Sequence, residues 1–331
     1  MNLRARIECW LQRIWYDGAP VPRSLDAMEA VYRRLARPMD RSPQRPPVPV
    51  IVVGNLVAGG SGKTPVVIAL VAALAGQGHV LAVISRGYGG RSTRRPRRVR
   101  ADDSALEVGD EALEIARATG CTVWVARRRG SALRAAIDNG AELVISDDGL
   151  QHHALPRSFE ICVVDARRRF GNGRLLPAGP LRQARSRLAE VDLVLLRDGS
   201  DRTSDALPSD LSQALAFELR PGPARSMGAA AKQLPEPPLA VDAVAGIADP
   251  EPFFTHLEAL GYQLRRHRLA DHQPIPQRWL RHLAGPVVTT AKDHARMSAA
   301  VRSDLYVVPV RAVLPEQVAN RIAAHVREFR S

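Results

Sequence analysis

The stretch "VPVIVVGNLVAGGSGKTPVVIAL", Val48 to Leu70, decides the fold. An apolar, β-branched run ends at Gly54, a glycine-rich turn follows, and Lys63-Thr64 opens a second apolar run. Strand, loop and helix in that order bring backbone N–H groups and a helix N-terminus to one point, which makes an anion site. Gly59, Gly60 and Gly62, with Ser61 among them, supply the close backbone approach that a phosphate cradle requires. Lys63 is placed to reach the β- and γ-phosphates of a nucleotide, and Thr64 to ligate Mg2+. A simple strand–helix turn would give Lys63 no reason to be there. One position departs from G-x-x-x-x-G-K-[ST]: where its first glycine belongs, the chain has Val57.

Outward from this loop, apolar strands expected at 48–54, 79–85, 122–126, 142–147, 160–165 and 191–196 alternate with helical stretches at 64–76, 109–119 and 130–139. Continuous apolar strands alternating with helices predict a mostly parallel sheet covered on both faces, a P-loop NTPase-like α/β core over 46–230. The Pro-rich "KQLPEPPL" (232–239) reads as a linker to a smaller α/β lobe over 231–331, whose last helix can pack back on the core. Ahead of the core, residues 1–45 form a helical segment. Its Leu3, Ile7, Trp10, Leu11, Ile14 and Trp15 recur at helical spacing, with Arg4, Arg6 and Arg13 off that stripe. A basic amphipathic helix with two Trp suits either a membrane interface or packing on its own domain.

The 331 residues carry a formal charge of +13, much of it Arg in "RSTRRPRRVR" (91–100), "RRRGSALR" (127–134) and "ARRRFGNGR" (166–174). That surplus favours an anionic partner. A nucleic-acid-binding module is disfavoured, because the Arg runs lack interleaved aromatics and no helix-turn-helix or zinc signature is present. Three widely spaced cysteines, Cys9, Cys121 and Cys162, give neither a disulfide framework nor a zinc site. No apolar run reaches 18 residues and no signal-peptide pattern opens the chain, so a cytoplasmic protein without a transmembrane helix is expected.

Two acidic motifs complete the site. "AELVISDDGLQHH" ends a strand at Asp147 and Asp148, as in a Walker B arrangement, where a strand-tip carboxylate holds the metal or its water. Adjacent carboxylates repel unless a cation is near. In "EVGDEALEIA", Asp110 and Glu111 open a helix, a placement that the helix dipole alone also favours.

Together with "SRGYGG" (85–90), "GNGRLLPAGPLR" (171–182), "LADHQP" (269–274) and "TTAKD" (289–293), these motifs resemble, in order, the tetraacyldisaccharide 4'-kinase (lipid A 4'-kinase) family of Gram-negative bacteria. The resemblance implies ATP-dependent phosphorylation of the 4'-hydroxyl of an acylated glucosamine disaccharide 1-phosphate. It places the enzyme, as a peripheral protein, on the anionic cytoplasmic face of the inner membrane, without nucleic acid or an obligate protein partner. It implies that Asp110 accepts the hydroxyl proton, steered by His272 from the second lobe, while Lys63 clamps phosphate. Thr64, Glu111, Asp147 and Asp148 then lie around Mg2+, and Arg86, Gln151 and Arg182 face the acceptor. These kinases are themselves irregular at the first loop glycine, so Val57 fits. Two departures stand out: Gln183-Ala184 follows Arg182 where the family has Glu-Pro, and "TTAKD" lacks the usual Glu before Lys292, leaving Lys292 and Asp293 without a role. A nucleotide-hydrolysing switch is the rival reading; "TAKD" does not match the guanine signature N-K-x-D.

Overall fold

The computed structural model of the chain describes residues 3–36, 44–91, 95–197, 208–227, 231–271, 273, 275–297 and 302–330. In chain order its strands are β1 (Val50–Gly54), β2 (Leu81–Ser85), β3 (Arg97–Val99), β4 (Thr122–Val125), β5 (Leu143–Asp147), β6 (Phe159–Asp165), β7 (Leu193–Arg197), β8 (Leu215–Pro221), β9 (Arg225–Ser226), β10 (Ala240–Ala245), β11 (Gln263–Arg268), β12 (Val287–Thr290), β13 (Leu305–Val308) and β14 (Val310–Val313). They form a large sheet ordered β14-β8-β7-β6-β1-β5-β2-β4-β3 and a small one ordered β11-β10-β12-β13-β9. Within the large sheet only the edge strands β3 and β14 run antiparallel to their neighbours. The helices are α1 (Leu3–Tyr16), α2 (Arg23–Leu35), α3 (Lys63–Ala75), α4 (Ala105–Val108), α5 (Asp110–Thr119), α6 (Arg129–Asp138), α7 (Glu251–Ala259), α8 (Gln277–Arg281), α9 (Ala291–Ala295) and α10 (Glu316–Arg330).

The unbroken apolar character of β1 follows from its central place. Ile51 and Val53 face a core shared with Val66, Val67 and Leu70 of α3, whereas Val50 and Val52 face a second core with Ala132, Leu133 and Ala136 of α6. With both faces covered, no position of the strand can be polar. Helix α3 is apolar nearly all round because Val318, Ile322 and Val326 of α10 cover it on the side away from the sheet's centre. Each such fully buried aliphatic side chain contributes about 1.5–3 kcal/mol.

The chain passes between the sheets twice, at 221–225 and at 308–310, and Gly222 N donates to Pro309 O at 2.8 Å where the two crossings meet. The Pro-rich 232–239 segment is therefore not the linker. It belongs to the small lobe, where Leu234 is buried beside Phe253 and Phe254 and its N–H donates to Ala224 O. Small-sheet pairing starts before 231, at β9, while β14 and α10 return to the large sheet.

The stripe expected on the N-terminal helix is divided. Ile14 and Trp15 pack with Leu25 and Ala178 in a small core, whereas Ile7 and Trp10 are 47% and 45% exposed. On α2, Met28, Val31 and Leu35 are exposed as well. Among the described residues no helix is long and apolar enough to cross a membrane.

Candidate active site

The glycine-rich loop joins β1 to α3 as its sequence requires. Gly62 caps α3 at φ 91°, a left-handed conformation that side chains rarely adopt, and the loop turns there into the helix. Val57 sits where the loop needs no tight turn. It is extended, 8% exposed and bridged to Leu181. Ala58 N donates to Pro180 O at 2.8 Å, and Arg182 N donates to Leu56 O at 2.7 Å. The segment 171–183 is thus a strap across the loop's entrance, which explains why its sequence is so particular. Its other end holds the N-terminal helices: Trp15 Nε1 donates to Pro177 O, and Asn172 N donates to Trp15 O. At Gly171 a Cβ would meet Trp15 O at 2.5 Å, so the strap passes too close for any side chain. Glu29 of α2, buried, accepts from Arg174 and from Leu175 N, and the Tyr32 hydroxyl donates to Arg182 O at 3.0 Å.

Asp147 and Asp148 stand at the tip of β5, beside the loop, but their environments differ. Both Asp147 carboxylate oxygens are buried without a hydrogen-bond partner. Burial, then the neighbouring charges of Glu111 and Asp148, push its pKa up to about 7. Asp148, at φ 47°, instead accepts from Arg182 Nη1 at 3.0 and 3.2 Å and lies 3.6 Å from Lys63 Nζ. Burial raises its pKa, but Lys63 and Arg182 more than offset this and hold the carboxyl well below its usual range. Arg129 fixes the turn by donating to the backbone oxygens of both residues. The expectation that both carboxylates surround a metal is thus divided: Asp148 is engaged by cations of the chain itself, and Asp147 has oxygens to spare.

Helix α5 brings three acids toward the same point. Asp110, 3% exposed, lies behind the cleft wall, accepts from Glu111 N and is 3.6 Å from Arg296 Nε. Glu111 faces Lys292 Nζ at 3.2 Å, and Lys292 also lies 3.6 Å from Asp271. Glu114, one turn on and only partly accessible, has its pKa pushed up to about 8, by burial first, with Lys292 opposing. Arg296 and Lys292 come from the small lobe, so both helix-opening acids are met across the lobe boundary. His272 lies outside the described residues.

One cleft of about 1510 Å³ is lined by the loop from Gly59 to Thr64, by Arg86, Glu111, Glu114, Asp148, Gln151 and Arg182, and by Lys292 and Asp271 of the small lobe; Asp110, Asp147 and Arg296 are not among its lining residues. Trp15 and Tyr32 of the N-terminal helices line it too. Of the residues expected to face the acceptor, Arg86 is exposed along the wall, Arg182 is engaged with Asp148, and Gln151 donates to Asn55 O at 2.8 Å. Gln183 contacts His153 Nε2 at 2.9 Å and Gln151 at 3.3 Å, and Gln151 in turn accepts from Arg182 Nη1 at 3.4 Å. Sequence reasoning missed Glu114, Arg296 and the buried Glu29. Glu114 was detectable, because it follows Asp110 and Glu111 at helical spacing; Arg296 and Glu29 had no local signal.

Mg2+ takes oxygen ligands, usually one or two carboxylates with waters and substrate phosphates. Among the described residues no three His, Cys, Asp or Glu side chains form a ready cage. The orphaned oxygens of Asp147, with the charges of Glu111 and Asp148 near, nevertheless suit an ion that brings its own waters and phosphate.

A family model described as tetraacyldisaccharide-1-P 4'-kinase matches residues 19–327. The tetraacyldisaccharide 4'-kinase of Alkalilimnicola ehrlichii is 43% identical over 87% of this chain and 85% of its own. That of Alcanivorax borkumensis is 42% identical over 95% of this chain and 96% of its own. The "apo" form LpxK from Aquifex aeolicus, solved in complex with ATP, superposes over 99% of both chains with a TM-score of 0.66 at 20% identity, so the likeness is one of fold. The chain belongs to the tetraacyldisaccharide-1-phosphate 4'-kinase family.

Proposed function

We propose that this chain transfers the γ-phosphate of ATP to the 4'-hydroxyl of an acylated glucosamine disaccharide 1-phosphate, the step that its relatives' names describe. One observation carries the reading: the phosphate loop, Glu111 and Glu114 of α5 and the small lobe border a single cleft that the N-terminal helices also line. A cleft lined both by the phosphate loop and by Trp15, Tyr32 and Leu176 suits a donor nucleotide and an acylated acceptor.

Phosphoryl transfer needs positioning and charge neutralisation more than covalent help. The bond from the 4'-oxygen to the γ-phosphorus forms as the β–γ bridge breaks, and the hydroxyl proton leaves late for Asp110. A carboxylate with an ordinary pKa near ~3.9 is a weak base, so orienting the hydroxyl is its larger task. Asp110 sits behind Arg296, and movement of the small lobe is what presents it; His272, from that lobe, is its proposed partner. Backbone N–H groups from Gly59 to Thr64 cradle the phosphates, and Lys63 neutralises them. Asp147, Thr64 and Glu111 would hold Mg2+, which would supply positive charge against that of the phosphates. Asp148 keeps Lys63 and Arg182 aligned. Arg86 and Gln151 border the space for the acceptor.

We place the protein on the anionic cytoplasmic face of the inner membrane as a peripheral enzyme. The exposed Ile7, Trp10, Met28, Val31 and Leu35 support this. The test is transfer of labelled γ-phosphate from Mg-ATP to detergent-dispersed acyl-disaccharide 1-phosphate, counted beside free phosphate. Labelled lipid that disappears in Lys63→Ala is expected. Free phosphate alone, indifferent to lipid, would favour a hydrolytic switch.

A further inference from the structure

Residues 289–293, "TTAKD", have no part in the chemistry above, yet the small lobe goes to some length to fix them. Asp293 is fully buried and accepts from Gly246 N at 3.0 and 3.1 Å and from Thr290 Oγ1 at 2.7 Å, while also pairing with Arg296. Thr290 Oγ1 accepts in turn from Asp293 N and caps α9. The helix start is thereby held in place, and Lys292, its second residue, reaches across the lobe boundary. Its ammonium stands 3.2 Å from Glu111 and 3.6 Å from Asp271, on the wall of the cleft that holds the phosphate loop.

We infer that Lys292 is an internal cation of the site: it holds Glu111 until a divalent ion takes that carboxylate, and it then turns to the phosphate being transferred. This rests on the proposed kinase reading, in which Glu111 lies beside the metal. The reasoning is electrostatic. An ammonium and a divalent cation cannot both sit against one carboxylate without strong mutual repulsion at contact distance. The ion arrives with the nucleotide's phosphates, which supply new negative charge a short reach away. Lysine suits the exchange, being a compact point charge on a flexible four-carbon stem. Because α9 belongs to the small lobe, a cation contributed from there makes neutralisation of the phosphate depend on lobe position.

The experiment compares Lys292→Met, Lys292→Gln and Lys292→Arg in the full chain. Mn2+ affinity of the nucleotide-free protein is read by electron paramagnetic resonance, and kcat and KM for ATP are read in the transfer assay. Removing the charge should tighten Mn2+ binding about tenfold, because its competitor for Glu111 is gone. It should also lower kcat about a hundredfold with KM for ATP changed less than about threefold, the split expected of a group acting on developing charge. Lys292→Arg should keep Mn2+ affinity near that of the parent. Lys292→Gln, judged by its melting curve, replaces Lys292→Met should the latter unfold. Mn2+ binding that is unchanged or weaker without the charge overturns the inference, as does an unchanged kcat. Glu111→Gln separates the two readings. If it weakens Mn2+ binding while Lys292→Met leaves it unchanged, only the role of Lys292 falls. If it binds Mn2+ like the parent, Glu111 is not at the metal and both fall.

Discussion

Asp147 shows how much one residue's surroundings matter. Its carboxyl is read from the sequence only as the second-last letter of "ISDD", equal in kind to Asp148. The structure separates the two, because Arg182 and Lys63 reach one and not the other. Between its ordinary pKa of 3.8 and its folded value of about 7, the folded chain keeps a proton on Asp147 that the unfolded chain has lost. Stability contributed by this group is therefore present at low pH and falls as pH rises through that window, by up to about 1.4 kcal/mol per pH unit. Asp147→Asn, which cannot ionise, should melt higher than the parent at pH 8, with the gap closing toward pH 4, and should lose metal-dependent turnover. A melting difference that ignores pH would remove the buried, unpaired carboxylate from this account. Asp110→Ala should cost at least tenfold in kcat, about 1.4 kcal/mol or more, with little change in ATP binding. Unaltered turnover in that variant would take Asp110 out of the mechanism.

At the level of elements, what the sequence makes legible is what local pattern determines. Strands β1, β2, β5, β6 and β7 are mostly apolar because both of their faces are covered, and their apolar runs reveal them; the polar exceptions are Glu160 within β6, Ser146 within β5, and residues at the strand ends. The short or partly exposed β3, β8, β9 and β14 carry Arg and Glu and exist only through pairing with distant partners, so no window of residues reveals them. Prolines at 235, 237 and 238 suggest a linker, yet burial of Leu234 makes that segment part of a lobe. The strap 171–183 is the most consequential of these elements, since it replaces the missing loop glycine with a bridge between Val57 and Leu181. Val57→Gly, although it restores the common motif, should weaken the protein by about 1–3 kcal/mol: it empties a buried position and frees the backbone. Chemical denaturation measures this, and a variant as stable as the parent would show that the bridge is dispensable. Glu29→Gln should likewise cost about 1–3 kcal/mol, because charge-assisted hydrogen bonds to Arg33 and Arg174 are weakened at a buried carboxylate.

For the molecule as a whole, the candidate site is assembled from parts far apart in the chain, and only the parts with local signatures announce themselves. Gly59–Thr64, Asp110, Glu111, Asp147 and Asp148 do so; the pairing of Glu111 with Lys292, 181 residues later, needs the folded lobes. The same holds for the N-terminal helices. Amphipathic spacing offers two uses for the stripe Ile7, Trp10, Leu11, Ile14 and Trp15, and the structure divides it between them. Removing the first 16 residues would therefore test little, because Ile14 and Trp15 belong to a core packed against the strap. Substituting only exposed positions keeps the two roles apart. Trp10→Glu and Leu35→Glu together should lower binding to vesicles rich in anionic lipid by about tenfold or more, as apolar contact is lost and negative charge is added at the surface. Their melting temperature should stay that of the parent, since both side chains are exposed, Leu35 by 80%. Turnover of detergent-dispersed acceptor should also persist, because neither residue lines the cleft. Sedimentation with vesicles, with melting and turnover measured in parallel, decides the matter. If the doubly substituted protein still sediments like the parent, the exposed apolar faces of α1 and α2 do not meet the membrane, and the basic clusters become the surface to test next.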